Sequence, residues 1–209
     1  MSQLKLKVCG MTSIRQLQQL AELGVDYAGF IFYEKSPRFV GDKIRPEKLK
    51  AFTTIKKVGV FVNESVDNIL SIVEECGLDL VQLHGDESPQ FCELLKAKTT
   101  VIKAFRVKGN EDVSFLIQPY ENVVDYFLFD TKAQDYGGTG KKFDWSVLEK
   151  LTITKPFFLS GGIGIADVQQ LNQFLLHNKV FALDVNSKFE TEPGVKDMDM
   201  VGGFLHQIR

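Results

Sequence analysis

The chain repeats one pattern along its whole length, a short apolar run followed by a segment with helical periodicity. The runs are almost entirely apolar, which is typical of parallel strands buried on both faces. Eight strands are predicted, at residues 4–8, 27–32, 58–62, 78–83, 100–105, 126–129, 156–159 and 180–185. Eight helices follow them, at residues 13–23, 45–52, 65–76, 88 onward, 111–120, 144–151, 165–177 and 197–207.

Several of the predicted helices have recognisable ends. Ser13 stands where it can cap the first helix, and Ser88 followed by Pro89 has the order of an N-cap and a first-turn proline. Gly24 and Gly77 follow two helices at the position where glycine adopts the left-handed conformation cheaply. These signals separate the helical segments from the strands that come after them.

Strict alternation of strand and helix implies parallel strands joined by right-handed crossovers. Eight such units are the number that closes a sheet into a barrel, so the predicted fold is an α/β, (β/α)8 TIM barrel. An open doubly wound sheet is the alternative, because periodicity alone does not exclude it. A length of 209 residues favours one domain, and we predict a single catalytic barrel domain over residues 1–209.

Composition excludes several functional classes. The chain has 25 Lys and Arg against 27 Asp and Glu, a net charge of −2, which lacks the basic field that nucleic-acid binding requires. Its apolar runs fall short of the roughly 18 residues of a membrane span, and its first residues lack a signal-peptide core. Cys9, Cys76 and Cys92 show no C-x-x-C spacing, which predicts reduced thiols and a cytoplasmic location.

No metal or cofactor is predicted. His84, His177 and His206 lack the spacing of zinc-binding helices. The chain also has no phosphate-binding P-loop, no dinucleotide fingerprint after the first strand and no G-x-S-x-G turn.

In a parallel barrel the reactive groups lie where the strands end, so the residues at these positions are the candidates for the site. They are Cys9, Arg38 in the Ser36-Pro37-Arg38 loop, Asn63, Gln82, His84, Arg106, Asp130, Ser160 with Gly161 and Gly162, and the segment from Asp184 through Asn186 to Ser187. If the barrel is correct, these groups converge on one mouth.

Two of the late loops are rich in glycine, GGTG at 137–140 and SGGI at 160–163. Bare backbone lets N–H groups approach an anion, and barrel phosphate sites commonly follow the last strands. The alternative is that these glycines serve turn geometry alone. Their proximity to the Asn186-Ser187 turn favours phosphate binding.

Cys9 and Asp130 are candidates for proton transfer, because a thiol and a carboxyl group facing one another could exchange protons with a substrate between them. Apolar surroundings and the nearby Asp184 are expected to disfavour the charged form of Asp130. The alternatives are a buried structural cysteine, and a carboxylate that caps a helix or forms a surface ion pair. Arg38 offers a planar fork for a carboxylate, or is a solvated charge. His84 is a hydrogen-bonding residue or a substrate contact.

Several motifs, taken together and in order, resemble phosphoribosylanthranilate isomerase. They are VCGMT at 8–12, GFIFYEKSPR at 29–38, VGVFVN at 58–63, VQLHGDE at 81–87, FDTKAQDYGGTGKKFDW at 129–145, LSGGI at 159–163 and LDVNSKFETEPGVKD at 183–197. The likeness covers essentially the whole chain. One departure is Lys188, where the family commonly has glycine, and whose side chain could offer a cation to the same phosphate.

The resemblance implies a TIM barrel that performs a cofactor-free Amadori rearrangement of a phosphorylated aminosugar in tryptophan biosynthesis. It implies that Asp130 is the general acid and Cys9 the general base. It further implies that Arg38 binds the anthranilate carboxylate and Asp184 the sugar hydroxyls, while Gln82 and His84 belong to the substrate shell. The phosphate-binding residues implied are Gly138, Thr139, Gly140, Gly161, Gly162, Asn186 and Ser187.

Two other functions fit the same fold. A related isomerase that rearranges a histidine-pathway aminoaldose would be expected to use paired aspartates, so Cys9 distinguishes it. A non-catalytic barrel that binds phosphorylated metabolites would keep the glycine loops without needing an acid and a base. The small-molecule substrate is the predicted partner, with no nucleic acid and no membrane, and both a monomer and a homodimer remain open.

Overall fold

The strands of this protein form a closed barrel. A computed structural model describes residues 3–107, 112–131, 144–149, 151 and 153–209. The strands are β1 (Lys5–Val8), β2 (Tyr27–Ile31), β3 (Lys56–Phe61), β4 (Leu80–Leu83), β5 (Thr100–Val107), β6 (Tyr126–Thr131), β7 (Phe157–Leu159) and β8 (Val180–Val185). Each pairs in parallel with the next, and β8 pairs with β1. The predicted barrel is therefore confirmed, and the open sheet is excluded.

Helices follow the strands in the predicted order. They are α1 (Ile14–Glu22), α2 (Pro46–Lys50), α3 (Val66–Cys76), α4 (Pro89–Lys96), α5 (Val113–Ile117), α6 (Ser146–Glu149), α7 (Val168–His177) and α8 (Met198–Ile208). The predicted helix at 111–120 is shorter, because a 3₁₀ turn at Gln118–Tyr120 accommodates Pro119. In the described part of the chain, no helix has the length and apolarity needed to cross a bilayer.

The capping residues act largely as predicted. The hydroxyl of Ser88 accepts a hydrogen bond from the N–H of Phe91 at 3.2 Å, and Gly24 and Gly77 have positive φ angles of 79° and 61°. Ser13 occupies the N-cap position of α1, but its side chain makes no capping hydrogen bond. Burial of Leu17 and Leu20 on its apolar face stabilises α1.

Two apolar clusters form the core. The larger one lies between the strands and the helices and includes Leu6 of β1 with Leu17 and Leu20 of α1. The smaller one combines residues from seven different strands, which only the interior of a barrel allows. Its buried members are Tyr27, Val58, Leu80, Ile102, Ala104, Leu128, Phe158 and Ala182.

One element was not predicted. After β8, the segment Ser187–Phe189 forms a 3₁₀ turn, and the chain then makes an antiparallel hairpin of β9 (Glu190–Glu192) and β10 (Val195–Lys196). Polar residues predominate in this segment, so it lacks the apolar runs that identify the barrel strands. The hairpin contributes two buried charged residues to the site.

Candidate active site

Most of the predicted site residues converge on one cleft, at the end of the barrel where the strands terminate, but Asn63 and Arg106 do not line it. The cleft is open to solvent and is lined by polar residues from the ends of several strands. Its predicted lining residues are Cys9, Arg38, Gln82, His84, Asp130, Gly161, Gly162, Asp184, Asn186 and Ser187. Gly138, Thr139 and Gly140 lie outside the described residues.

The strands extend further into the site than predicted. Strand β6 continues through Asp130 to Thr131, and β5 continues through Arg106 to Val107. Asp130 therefore belongs to a strand and does not start a loop, which corrects the predicted boundary. Because side chains alternate along a strand, this extension determines the side to which the carboxyl group points.

Asp130, His84 and Gln82 form a connected polar row. The imidazole Nε2 of His84 is 3.3 Å from Oδ2 of Asp130, and its Nδ1 is 2.9 Å from Nε2 of Gln82. The imidazole of His84 thus bridges the Gln82 amide and the Asp130 carboxyl group through its two ring nitrogens. The N–H of Thr131 donates to Oδ1 of Asp130 at 2.7 Å. These contacts orient the Asp130 carboxyl group at the wall of the cleft.

Gln82 has one unused polar atom. Its side chain is buried in the cleft wall, and its Oε1 has no hydrogen-bond partner within the described ranges. A buried carbonyl oxygen without a partner is costly, which makes it a ready acceptor for a ligand donor. The sequence placed Gln82 and His84 in the substrate shell but did not predict their connection to Asp130.

Cys9 lies beside a buried ion pair that the sequence analysis missed. The ammonium of Lys7, which has no exposed surface, donates to Oδ1 of Asp184 at 2.9 Å. Burial raises the pKa of the Cys9 thiol, while the positive charge of Lys7 opposes that rise. Burial also raises the pKa of Asp184, in opposition to Lys7 and with a further contribution from the charge of Asp130. The predicted repulsion between the carboxyl groups of Asp130 and Asp184 thus contributes to the raised pKa of Asp184.

Arg38 is buried and paired, so it is not a solvated charge. Its Nε donates to both carboxylate oxygens of Glu190, at 2.9 and 3.0 Å, and its Nη2 donates to Oε2 at 2.6 Å. The ammonium of Lys196 donates to Oε1 of Glu190 at 2.6 Å and to Oδ1 of Asn186 at 2.7 Å. The hairpin therefore holds Arg38 against the cleft and connects it to the predicted phosphate loop.

Arg38, Glu190 and Lys196 form a buried charged cluster in which neighbouring charges shift the pKa values of Glu190 and Lys196. Burial alone would raise the pKa of Glu190, but hydrogen bonds from Arg38 and Lys196 hold the pKa below its ordinary value. Burial lowers the pKa of Lys196 in spite of Glu190. Glu190 and Lys196 lie in the motif at 183–197, but nothing in the sequence indicated their pairing with Arg38, because Arg38 and Glu190 stand 152 positions apart.

The glycines of the late loop have a structural reason as well as a predicted functional one. Gly161 and Gly162 have positive φ angles of 98° and 68°. A Cβ atom on Gly161 would lie 2.9 Å from the backbone nitrogen of Thr131 and 3.3 Å from Oδ1 of Asp130. Turn geometry and phosphate binding are therefore compatible at this loop. Lys188 lies in a 3₁₀ turn outside the left-handed region, is exposed and lines the cleft.

Two further glycines support the site. A Cβ atom on Gly29 of β2 would approach the sulfur of Cys9 to 2.8 Å, and one on Gly10 would approach Cδ of Arg38 to 2.7 Å. Glycine inside a strand often marks such a close approach, so Gly29 carried a signal that the sequence analysis did not use. The described residues contain no group of three or more potential metal ligands.

The fold and the cleft define the class of the protein as a TIM-barrel enzyme, with ionisable groups at the ends of several strands. The family model described as N-(5'phosphoribosyl)anthranilate (PRA) isomerase matches residues 6–207. The chain belongs to this family, and the resemblance stated from its motifs is confirmed.

Individual relatives agree with this assignment. An N-(5'-phosphoribosyl)anthranilate isomerase of Parabacteroides distasonis is 42% identical over 97% of this chain and 92% of its own length. A crystal structure of phosphoribosyl anthranilate isomerase from Thermotoga maritima superposes with a TM-score of 0.85 at 33% identity, covering 98% of both chains. A further structure, of an isomerase in complex with reduced 1-(o-carboxyphenylamino)-1-deoxyribulose 5-phosphate, has a TM-score of 0.82 at 31% identity and 98% coverage of both chains.

Proposed function

We propose that this chain catalyses the Amadori rearrangement for which its family is named, with Cys9 and Asp130 as the proton-transfer groups. The substrate is N-(5-phosphoribosyl)anthranilate, the product is 1-(2-carboxyphenylamino)-1-deoxyribulose 5-phosphate, and the pathway is tryptophan biosynthesis. One observation supports the assignment of roles most directly. Cys9, directly after β1, and Asp130, on β6, are 121 positions apart and line the same cleft.

The reaction needs one acid step and one base step. Asp130 donates its proton to the ring oxygen of the ribose, the bond between that oxygen and C1 breaks, and the anthranilate nitrogen forms a Schiff base with C1. The Cys9 thiolate then removes the proton from C2, and the electron pair moves to give the enolamine. Tautomerisation yields the ketone. Each positioned acid or base contributes about 10²- to 10⁴-fold in rate.

The remaining lining residues suit the substrate's polar groups. The Nη1 group of Arg38 takes no part in the pair with Glu190, so it can bind the anthranilate carboxylate. Oδ2 of Asp184 takes no part in the bond to Lys7 and can accept from a sugar hydroxyl. The backbone N–H groups at Gly161 and Gly162, with the Asn186-Ser187 turn, are proposed to bind the phosphate.

A small-molecule partner and a cytoplasmic location are proposed from the lining of the cleft and from the state of the cysteines. A small molecule with several polar groups is the partner that suits a cleft lined by so many polar residues. All three cysteines are free thiols, which is consistent with the cytoplasmic location predicted from the sequence.

The test is a turnover assay with purified protein and freshly generated N-(5-phosphoribosyl)anthranilate. Loss of the substrate's anthranilate-type fluorescence is followed with and without a chelator. We expect turnover in both, and in Cys9→Ala and Asp130→Asn a fall in kcat of at least about 10² with KM within about tenfold. Cys92→Ala is the matched control, because Cys92 is a buried cysteine outside the cleft.

Two results would reject parts of the proposal. Saturable binding of a product analogue without turnover would support the non-catalytic barrel. Near-normal kcat in Cys9→Ala or in Asp130→Asn would remove that residue from its role, even with an active wild-type enzyme.

A further inference from the structure

The most unusual charge in the barrel interior is that of Lys7. Its side chain is wholly buried, and it does not line the cleft. Bringing an ammonium out of water costs several kcal/mol unless the geometry of its partner is favourable. Lys7 and Asp184 are register neighbours on β1 and β8 and meet at 2.9 Å. In the reaction proposed above, neither Lys7 nor its ion pair with Asp184 transfers a proton.

The geometry relates Lys7 to Cys9. The N–H of Cys9 donates to the carbonyl oxygen of Val185 at 2.9 Å, which continues the pairing of β1 with β8 by one more residue. Residues two apart on a strand point to the same side. The side chains of Lys7 and Cys9 therefore share the interior face of the barrel, with Lys7 one layer deeper. The positive charge of Lys7 opposes the rise in the pKa of the Cys9 thiol that burial causes.

We propose that Lys7 is a positioning residue for the base, whose buried ammonium, held by Asp184, stabilises the ionised sulfur of Cys9. The inference rests on the proposed role of Cys9. A thiol enclosed by apolar surface resists ionisation, whereas only the thiolate can accept a proton from carbon. A cation fixed below the sulfur increases the thiolate fraction and remains charged throughout the reaction.

The other groups around Cys9 do not replace Lys7. From β8, Asp184 carries a negative charge that opposes ionisation of the sulfur. From β10, Lys196 is a second cation bound to Glu190 and Asn186, and its charge acts on Cys9 less strongly than that of Lys7. From β2, the nearest residue is the uncharged Gly29.

Five more charged or titratable groups of the described residues line the same cleft. Arg38 is paired with Glu190, and His84 and Asp130 contact one another. The other two are Tyr33 and Lys188. Among the described cations that favour the ionised sulfur, Lys7 therefore has a larger effect than Lys196, and it shares the interior face of the barrel with Cys9.

The buried ammonium itself remains protonated. Burial alone would lower the pKa of Lys7, but the charges of Asp184 and Cys9 raise it above its ordinary value. Lys7 thus acts as a fixed charge across the working pH range and does not compete with Cys9 as a base. Its effect on the reaction is electrostatic.

The test measures the ionisation of Cys9 without using turnover. Wild type, Lys7→Met and Lys7→Arg are alkylated with iodoacetamide over a range of pH, and mass mapping assigns the label to Cys9. We expect the apparent pKa of Cys9 to rise by at least about one unit in Lys7→Met, because a close opposite charge shifts a pKa by about 1–3 units. Lys7→Arg keeps the charge, so its Cys9 pKa should stay within about half a unit of wild type.

The pH dependence of kcat/KM gives a second readout. Its acidic limb should move to higher pH in Lys7→Met by the same amount as the alkylation midpoint. At neutral pH kcat should fall about tenfold or more, while KM changes less. If Lys7→Met does not fold, Lys7→Gln removes the charge and keeps a hydrogen-bond donor for Asp184.

Lys103→Met is the matched control. Lys103 is a buried lysine of the same barrel, its ammonium is 2.8 Å from Oε2 of the buried Glu87, and it does not line the cleft. Its loss should lower stability without moving the Cys9 pKa. An unchanged Cys9 pKa in the neutral Lys7 variants, or an equal shift in Lys103→Met, would overturn the proposal. Absence of turnover in wild type would reject the proposed function while the alkylation result still stood.

Discussion

Replacing Glu190 with glutamine tests whether the hairpin charges hold the site together. The substitution keeps the shape of the side chain but removes the charge that binds Arg38 through three contacts and Lys196 through one. The pair of Arg38 with Glu190 is nearly inaccessible to water, with side-chain exposures of 10% and 4%. Removing one member of such a pair leaves the other charge buried, which costs about 3–5 kcal/mol.

The pH dependence gives this prediction its sign. Because the pKa of Glu190 is below its ordinary value, its charge stabilises the folded state above the unfolded-state pKa of about 4.3. That stabilisation is lost as the pH falls through the lower, folded-state pKa. The difference in unfolding free energy between wild type and Glu190→Gln should therefore be largest near neutral pH and shrink below about pH 4.

Urea unfolding at several pH values between 7 and 3 measures this difference. Glu192→Gln is the control, because Glu192 lies exposed in the same hairpin and should change stability by no more than about 0.5 kcal/mol. We also expect KM to rise in Glu190→Gln, since Arg38 loses its support. A variant as stable as Glu192→Gln at neutral pH, or a deficit that does not change with pH, would refute the reasoning.

The other predictions concern the predicted phosphate side of the cleft. Gly161→Ala should lower kcat, because the added methyl group meets Thr131 and Asp130 at a positive φ angle. Gly203→Ala should retain full activity, because an added Cβ atom there would meet no atom within 4 Å, and it gives the comparison in the same assay. Lys188→Ala should raise KM by about threefold with kcat unchanged, because an exposed charge contributes about 0–1 kcal/mol. An unchanged KM in Lys188→Ala would show that this cation does not bind the substrate.

The barrel could be predicted because each of its units is encoded locally. Apolar runs of strand length alternate with helical segments, and glycines such as Gly24 and Gly77 end helices by a conformation that depends on that residue alone. Counting eight units then selected the closed barrel. The ends of elements were less accurate, as at Asp130, because the neighbouring strand decides how far hydrogen bonding continues.

The lining residues of the cleft could also be predicted in large part. The carboxyl ends of parallel strands meet at one end of a barrel, so polar residues at those ends converge whatever their separation along the chain. Cys9, Gln82, Asp130 and Asp184 were found in this way. The chemical roles came from the likeness of ordered motifs to a known family.

The partners of these residues were decided by the closed barrel and its hairpin. Lys7 meets Asp184 across 177 positions, and Arg38 meets Glu190 across 152. A buried charge is stable only with a partner at hydrogen-bond distance, and that distance is a property of packed strands in three dimensions. The local pattern of apolar residues predicts which side chains face inward. The pairing of Lys7 with Asp184 forms only when β8 closes against β1.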